Sequence, residues 1–149
     1  MLPNLLELLQ NQNQALLFVG IGNVLRTDDG AGVYISERIS ERNHIKTLTV
    51  EVSIENYIQK INSYNADYII LIDSVNFKKE PGYYSLLPVN ELLDFTTNTH
   101  NISLKNVSKL FLGNVLILGI QPKTIIFGEG LTTSVEKSAE EIIRFINAQ

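Results

Sequence analysis

The stretch ALLFVGIGNVLRTDDG, residues 15–30, is the part of the sequence that decides the fold. Its first six residues are almost entirely apolar, and the segment that follows ends in two adjacent acids, Asp28 and Asp29. Continuous hydrophobicity of this length predicts a strand buried on both faces, as in a parallel sheet between helices. The glycines and acids after it predict a turn that leads into a crossover helix. The stretch therefore predicts an α/β fold.

Similar patterns recur along the chain and predict five strands separated by helices. The predicted strands are residues 15–20, 47–52, 68–72, 82–87 and 115–120. The predicted helices, in which apolar residues recur at helical spacing, are residues 30–42, 56–63, 104–111 and 134–148. Thr133 or Ser134 is expected to cap the last helix. This alternation predicts a three-layer αβα sandwich around a mostly parallel, twisted sheet of about five strands.

The length of 149 residues suits a single domain that spans residues 1–149. Residues 1–14 are expected to form a helical extension whose leucines lie against the αβα domain of residues 15–149. They lack the basic start and the small-residue cleavage site of a secretory signal, so we expect a cytoplasmic protein.

Composition and missing motifs exclude several classes of protein. With 12 basic and 16 acidic residues the formal net charge is −4, which argues against a nucleic-acid partner. There is no cysteine, so a disulfide, a thiolate metal site and a cysteine nucleophile are excluded. No apolar run approaches the ~18 residues of a membrane span. Gly-x-Ser-x-Gly, His-Glu-x-x-His and Walker motifs are also absent, so any hydrolysis here must use a metal site directly.

Potential metal ligands follow the predicted strands. Asp28 and Asp29 come after the first strand, Asp73 ends the third, and His100 lies in the long loop that follows. Ligands bind beyond the carboxyl ends of parallel strands, so we expect these side chains at one edge of the sheet. Two carboxylates and an imidazole suit Zn²⁺, Ni²⁺, Mn²⁺ or Cd²⁺, and three protein ligands leave coordination positions open.

Each of these residues also has an ordinary structural interpretation. Asp28 or Asp29 could cap the first crossover helix, and Asp73 could tie down its turn through Ser74 or backbone amides. A histidine such as His100 is, by itself, more often exposed or structural than a ligand. The second histidine, His44, is expected to be solvated near the end of that helix.

Gly20, Gly22 and Asn23 also invite comparison with a nucleotide-binding turn. Such a turn needs a third small residue where this chain has Leu25, and Glu51 lies too far along for the usual ribose-binding acid. A nucleotide-binding Rossmann-like domain is therefore a disfavoured alternative, in which the glycines would serve only to let the chain leave the sheet.

At these residues the chain resembles the nickel–iron hydrogenase maturation endopeptidases, and most nearly their hydrogenase 3-type branch. The resemblance covers nearly all of residues 16–145. The matching segments are FVGIGNVLRTDDGAGV (18–33), IENY (54–57), YIILIDSVNFKKEPG (68–82), THNISL (99–104), ILGIQP (117–122) and GLTTSVEKSAEEI (130–142).

The resemblance implies an αβα endopeptidase that removes the C-terminal extension of the hydrogenase large-subunit precursor after nickel insertion. It implies that Asp29, Asp73 and His100 are the metal ligands and form the catalytic site, with Asp29 standing where some relatives have Glu. The metal is expected to be nickel brought by the substrate, for which Zn²⁺ or Cd²⁺ could substitute. Gly22, Asn23 and Asp28 are expected to form the substrate-binding part of the site, Gly22 and Asn23 as donors to the substrate and Asp28 as a helix cap or supporting residue.

Three other functions remain open at the level of sequence. One is a nickel chaperone without proteolytic activity, built on the same scaffold. Another is the nucleotide-binding domain discussed above, and the third is a metal-dependent amidase of unknown substrate. Loss of the precursor's tail in a processing assay separates the endopeptidase from the chaperone.

Overall fold

Strands and helices alternate through the part of the chain that the computed structural model describes, which is residues 2–92 and 99–149, without the side chains of residues 3 and 99–103. The helices are α1 Pro3–Gln10, α2 Ala31–Ser36, α3 Ile58–Ser63, α4 Thr99–Ser108 and α5 Thr133–Asn147. The strands are β1 Leu16–Ile21, β2 Ile45–Glu51, β3 Tyr68–Ser74, β4 Tyr84–Pro88 and β5 Asn114–Ile120.

The five strands form one mixed sheet in the order β2-β1-β3-β5-β4. β1 is parallel to both β2 and β3, and β3 is parallel to β5. β4 pairs antiparallel with β5 at one edge. Each predicted strand is present, with shifts of at most two residues at its ends. The predicted mostly parallel α/β sheet is therefore confirmed.

Two hydrophobic clusters, one on each face of the sheet, show why the central strands read as continuously apolar. Every residue of β1 is buried, and its side chains alternate between the clusters, with Phe18 in one and Val19 in the other. The first cluster also contains residues of α1, α2 and α5, and the second contains residues of α3 and α4. Leu5 and Leu9 of α1 are fully buried in the first cluster, which confirms that the N-terminal leucines pack against the sheet layer.

Close packing of α2 on the sheet brings the residues before this helix to the carboxyl edge. A Cβ atom at Gly32 would lie 2.0 Å from the carbonyl oxygen of Ile72 and 2.4 Å from that of Ile21. A Cβ atom at Gly20 would lie 2.0 Å from Ser36 Oγ. Since both strands end at this edge, the start of α2 and the acids before it lie beside the ends of β1 and β3.

Several helix boundaries differ from the prediction. The helix expected over residues 30–42 ends at Ser36, because the polar residues after it form a loop bound to the end of α5. There Ser40 N donates to Asn147 Oδ1, and the Asn147 side-chain amide donates to the carbonyl oxygen of Arg38, both at 2.9 Å. The helix expected from residue 104 begins at Thr99, and the one expected from residue 56 has a 3₁₀ turn over Ile54–Tyr57 before it.

The caps and the second histidine also differ from the prediction. α5 begins after Thr132 rather than after Thr133 or Ser134, and no side chain caps it. His44 is half-buried, with Nε2 2.9 Å from the carbonyl oxygen of Leu9. It therefore contacts the end of α1. Within the described ranges, no helix has the length and apolar character needed to cross a membrane.

Candidate functional site

Asp29 and Asp73 lie close together at the carboxyl edge of the sheet. Asp29 belongs to a 3₁₀ turn over Thr27–Gly30 that follows β1, and Asp73 is the next-to-last residue of β3. Ser74 joins the two, because its hydroxyl donates to Asp29 Oδ1 at 3.0 Å while its amide donates to Asp73 Oδ1 at 2.8 Å. The structure thus brings together two of the three ligands that the sequence predicted.

Asp29 is held in place by its hydrogen bonds to two segments. Its Oδ2 accepts the amide of Asn23 at 3.0 Å, and its Oδ1 accepts the hydroxyl of Ser74. The residue is only 4% exposed. Neither Asp29 nor its neighbour caps α2, whose first turn receives no side-chain hydrogen bond, so the capping interpretation is wrong.

Asp73 is the electrostatically unusual group of the site. It is fully buried, and its Oδ2 has no hydrogen-bond partner among the described residues. Burial raises the pKa of the Asp73 carboxyl well above its ordinary value, the charge of Asp29 raises this pKa further, and the hydrogen bond from Ser74 lowers it. A buried carboxylate with an unpaired oxygen beside a second acid is a costly arrangement unless a proton or a cation joins it.

Asp28 faces away from this pair and holds a different loop. Its fully buried carboxylate accepts four hydrogen bonds: from the amides of Lys123, Thr124 and Thr132 and from the Thr132 hydroxyl, at 2.7–3.3 Å. The Thr132 side chain thereby binds Asp28 instead of capping α5. We therefore expect Asp28 to support the site by fixing the loop over residues 123–132. It is not the cap of α2.

Gly22 and Asn23 form the turn between β1 and Asp29. Gly22 has a φ of 138°, and a Cβ atom there would lie 1.9 Å from the carbonyl oxygen of Asp29, so only glycine fits. The amide of Asn23 already donates to Asp29, which occupies a donor that a phosphate-binding turn would offer to its ligand. The turn is therefore poorly suited to the nucleotide alternative.

An open groove of about 560 Å³ lies next to this turn. Its lining residues are Gly22, Asn23, Val50, Glu51, Val52, Ser53, Asn56 and Tyr57. Asn23 is partly exposed on this groove. Gly22 is buried, and its amide donates to the carbonyl oxygen of Glu51 at 2.9 Å, so the expectation that Gly22 offers a donor to the substrate is wrong.

His100 is the predicted ligand whose side chain lies outside the described residues. Its backbone belongs to the first turn of α4, so the residue is helical and not in the loop where the sequence placed it. Among the side chains that the structure describes, no group of three His, Asp, Glu or Cys residues is arranged to hold a metal ion. Asp29 and Asp73 supply two of the expected ligands within that set.

The expected bond between Asp73 and Ser74 is present, but sequence reasoning missed the Ser74 hydroxyl bond to Asp29 and the roles of Thr132 and Gln121. Gln121 is buried after β5, and its Oε1 accepts the amides of Phe77 and Lys79, which ties the segment after β3 to the segment after β5. Ser74 is the last residue of β3, and Gln121 is the first residue after β5. A polar residue at the carboxyl end of a predicted strand could therefore have identified both as candidate site residues. Thr132 has no such signal, because its partner Asp28 is 104 residues away.

The donor set of Asp29 and Asp73 fits a divalent cation. Carboxylate oxygens are ligands for hard and borderline ions, and Asp73 Oδ2 accepts no hydrogen bond from any described residue. A bound cation would offset the repulsion between the two acids and keep Asp73 ionised.

Comparison with known proteins agrees with this geometry. The model of the HycI family, described as hydrogenase maturation protease, matches residues 31–149. The crystal structure of a NiFe hydrogenase maturation protease HycI from Thermococcus kodakarensis KOD1 is similar to this chain with a TM-score of 0.79. It is 22% identical, and the match covers 97% of this chain and 99% of that one. The Escherichia coli hydrogenase maturating endopeptidase HybD is similar with a TM-score of 0.77 and 25% identity, over 90% of both chains.

A sequence relative supports the same assignment. The hydrogenase 3 maturation protease of Escherichia coli strain K12 is 24% identical over 128 residues, which cover 82% of each chain. The resemblance found in the sequence is thereby confirmed. Since the family model covers most of its length, this chain belongs to the hydrogenase maturation protease family, whose members are endopeptidases and therefore hydrolases.

Proposed function

We propose that this protein cleaves the C-terminal extension from the large-subunit precursor of a nickel–iron hydrogenase after nickel has been inserted. The observation that carries this proposal is the buried Asp73 beside Asp29, with one carboxylate oxygen that has no hydrogen-bond partner among the side chains and backbone that the structure describes. Family membership supports the peptidase activity and the link to hydrogenase maturation. The paired acids support recognition of a cation that arrives with the substrate.

In this proposal Asp29, Asp73 and His100 bind the nickel of the precursor. α4 leads into β5, so its last turn lies near the amino edge of the sheet, and its ten residues span about 15 Å. If α4 packs along β5, a helix of that length would carry its first turn, with the backbone of His100, toward the carboxyl edge where the two acids lie. That arrangement would make His100 available as the third ligand.

In this proposal only the nickel-loaded precursor is processed, because the nickel is part of what the site recognises. A precursor without the ion leaves two buried acids to repel each other, so its binding lacks the main favourable contact. A divalent ion at this position supplies Lewis-acid chemistry, either at the scissile carbonyl or at a bound water. Zn²⁺ or Cd²⁺ would occupy the same acids in the absence of substrate.

The groove beside Gly22 and Asn23 is the proposed binding site of the substrate polypeptide. The backbone amide of Asn23 is engaged by Asp29, so its side-chain amide is the donor that remains for the substrate. Asp28 takes part only through the loop that it fixes, because its four hydrogen bonds and complete burial keep it from the substrate.

The test is a processing assay with nickel-loaded precursor, read by the mobility shift and mass of the large subunit. We expect Asp73→Asn and His100→Ala to abolish processing while the variants remain folded, because these residues lie at the rim of the core. Asp67→Asn and His44→Gln are matched controls. Asp67 precedes the other end of β3, and His44 contacts α1, so both controls should process normally.

Two outcomes would contradict the proposal in different ways. Normal processing by both site variants would show that the ligand assignment is wrong. Nickel binding by the wild-type protein without any cleavage of the precursor would instead favour the nickel chaperone.

A further inference from the structure

Two loops beside the candidate site carry large apolar side chains exposed to solvent. We call them the apolar patch, which consists of Val24, Leu25, Ile125, Ile126 and Phe127. Phe127 is 83% exposed and Ile126 is 69% exposed. None of the five belongs to either core cluster, so their apolar character does not serve the packing of the fold. Clustered exposed apolar groups mark sites of interaction with other macromolecules.

Hydrogen bonds between the two loops fix the shape of the patch. The amide of Gly128 donates to the carbonyl oxygen of Leu25, and the amide of Thr27 donates to that of Gly128, both at 2.8 Å. The Arg26 side chain donates from Nε to the carbonyl oxygen of Ile125 at 3.1 Å. A surface that is already ordered loses less conformational entropy when a partner binds. The patch is therefore preorganised for docking.

The apolar patch is continuous with the candidate site. Val24 and Leu25 lie between the turn at Asn23 and the acids Asp28 and Asp29. On the other loop, the Asp28 carboxylate accepts the amides of residues 123 and 124, immediately before the exposed apolar run. A macromolecule seated on the patch would therefore lie directly beside the acids at which its chain reacts.

We propose that the apolar patch docks an apolar surface on the folded body of the substrate protein, while the C-terminal segment of that protein reaches Asp29 and Asp73. This inference rests on the proposed function, because it takes the hydrogenase large-subunit precursor as the occupant. Continuity with the site favours this occupant over a second copy of the chain, which would cover the approach to the acids.

The experiment compares Phe127→Glu and Leu25→Glu, one from each loop, with Leu112→Glu as a matched control. Leu112 is 67% exposed and lies just before β5, at the opposite edge of the sheet. Processing rates are measured over a range of concentrations of nickel-loaded precursor, and direct binding is measured by calorimetry. The thermal unfolding midpoint verifies that each variant is folded, and sedimentation gives its oligomeric state.

We expect each patch variant to raise KM and Kd about tenfold or more, because a charge would be buried against an apolar surface. The value of kcat at saturation should stay close to that of the wild type, and Leu112→Glu should change neither constant. Unchanged KM and Kd in both patch variants would overturn the inference while leaving the proposed function intact. So would a wild-type dimer that these variants dissociate without any change in KM. A wild-type protein that neither binds nor cleaves the precursor would overturn the proposed function itself, and the assigned occupant with it.

Discussion

Replacement of Asp73 by asparagine should stabilise the fold while it removes the activity. Asp73 is fully buried, one of its carboxylate oxygens has no partner among the described residues, and Asp29 adds a second negative charge beside it. Asparagine has nearly the same shape and keeps an oxygen that can accept the amide of Ser74. The substitution therefore removes an unfavourable charge without opening a cavity.

The size of the effect follows from the removal of a buried charge, because the asparagine amide still fills the position of the unpartnered oxygen. An unsatisfied buried group costs about 1–3 kcal/mol, and more when it is charged, so we expect Asp73→Asn to raise the free energy of unfolding by about 2 kcal/mol at pH 7. For a chain of this length, that gain corresponds to a rise in the unfolding midpoint of about 6 °C. Residues that are needed for activity often lower the stability of the folded protein in this way.

The gain should depend on pH in a defined direction. The pKa of Asp73 is raised in the folded protein, so the unfolded chain loses this proton first as the pH rises. Between those two pKa values the folded state binds more protons than the unfolded state, and the stability of the wild type falls with increasing pH. Below about pH 4 the carboxyl is protonated in both states, and the advantage of asparagine should vanish.

The assay is thermal unfolding of both proteins in a buffer with chelator, at several pH values from 3.5 to about 7.5. Asp67→Asn is the control, because Asp67 accepts the amide of Ala15 at the other end of β3 and should gain no stability as asparagine. A destabilised Asp73→Asn at pH 7, or a difference that does not change with pH, would refute the electrostatic account of the site.

Two further predictions concern the cation and the loop that Asp28 fixes. Added Zn²⁺ or Cd²⁺ at about 100 times Kd should stabilise the wild type against thermal unfolding by about 2.7 kcal/mol. This stabilisation should be lost in Asp29→Asn and Asp73→Asn. An equal stabilisation of these variants would show that the ion binds elsewhere. Thr132→Val removes a hydroxyl donor from the buried Asp28 carboxylate and should lower the free energy of unfolding by about 1–2 kcal/mol in urea. The exposed Thr133→Val should change it by less than about 0.5 kcal/mol, and equal effects in both would show that the Thr132 bond contributes nothing.

The strands could be predicted because a strand that is buried on both faces appears in the sequence as a continuous run of apolar residues. Every residue of β1 is buried, and the apolar run that begins at residue 15 identifies the strand to within one residue. The end of α2 could not be predicted in this way. Its chain leaves the helix after Ser36 to bond with Asn147, and a contact over that distance has no local pattern.

The candidate site was predictable in position and less so in detail. Since the ends of β1 and β3 meet at one edge, the proximity of Asp29 and Asp73 follows from the strand assignment and from parallel topology. The different roles of Asp28 and Asp29 could not be predicted from the strand assignment, because two adjacent acids in a turn look equivalent in sequence. Only the fold shows that Asp28 turns to a loop about one hundred residues away while Asp29 turns to Ser74.

In the proposed function, the four hydrogen bonds at Asp28 would link the docking patch to the metal-binding acids through one side chain. The Asp28 carboxylate anchors the loop that carries Phe127. The next residue in the chain is Asp29, which we propose binds nickel. An exchange of residues 123–132 between relatives, made to redirect the protease to another hydrogenase, must therefore conserve every donor to this carboxylate. A graft without them would leave the buried Asp28 charge unsatisfied and displace Asp29 along with the loop that carries Phe127.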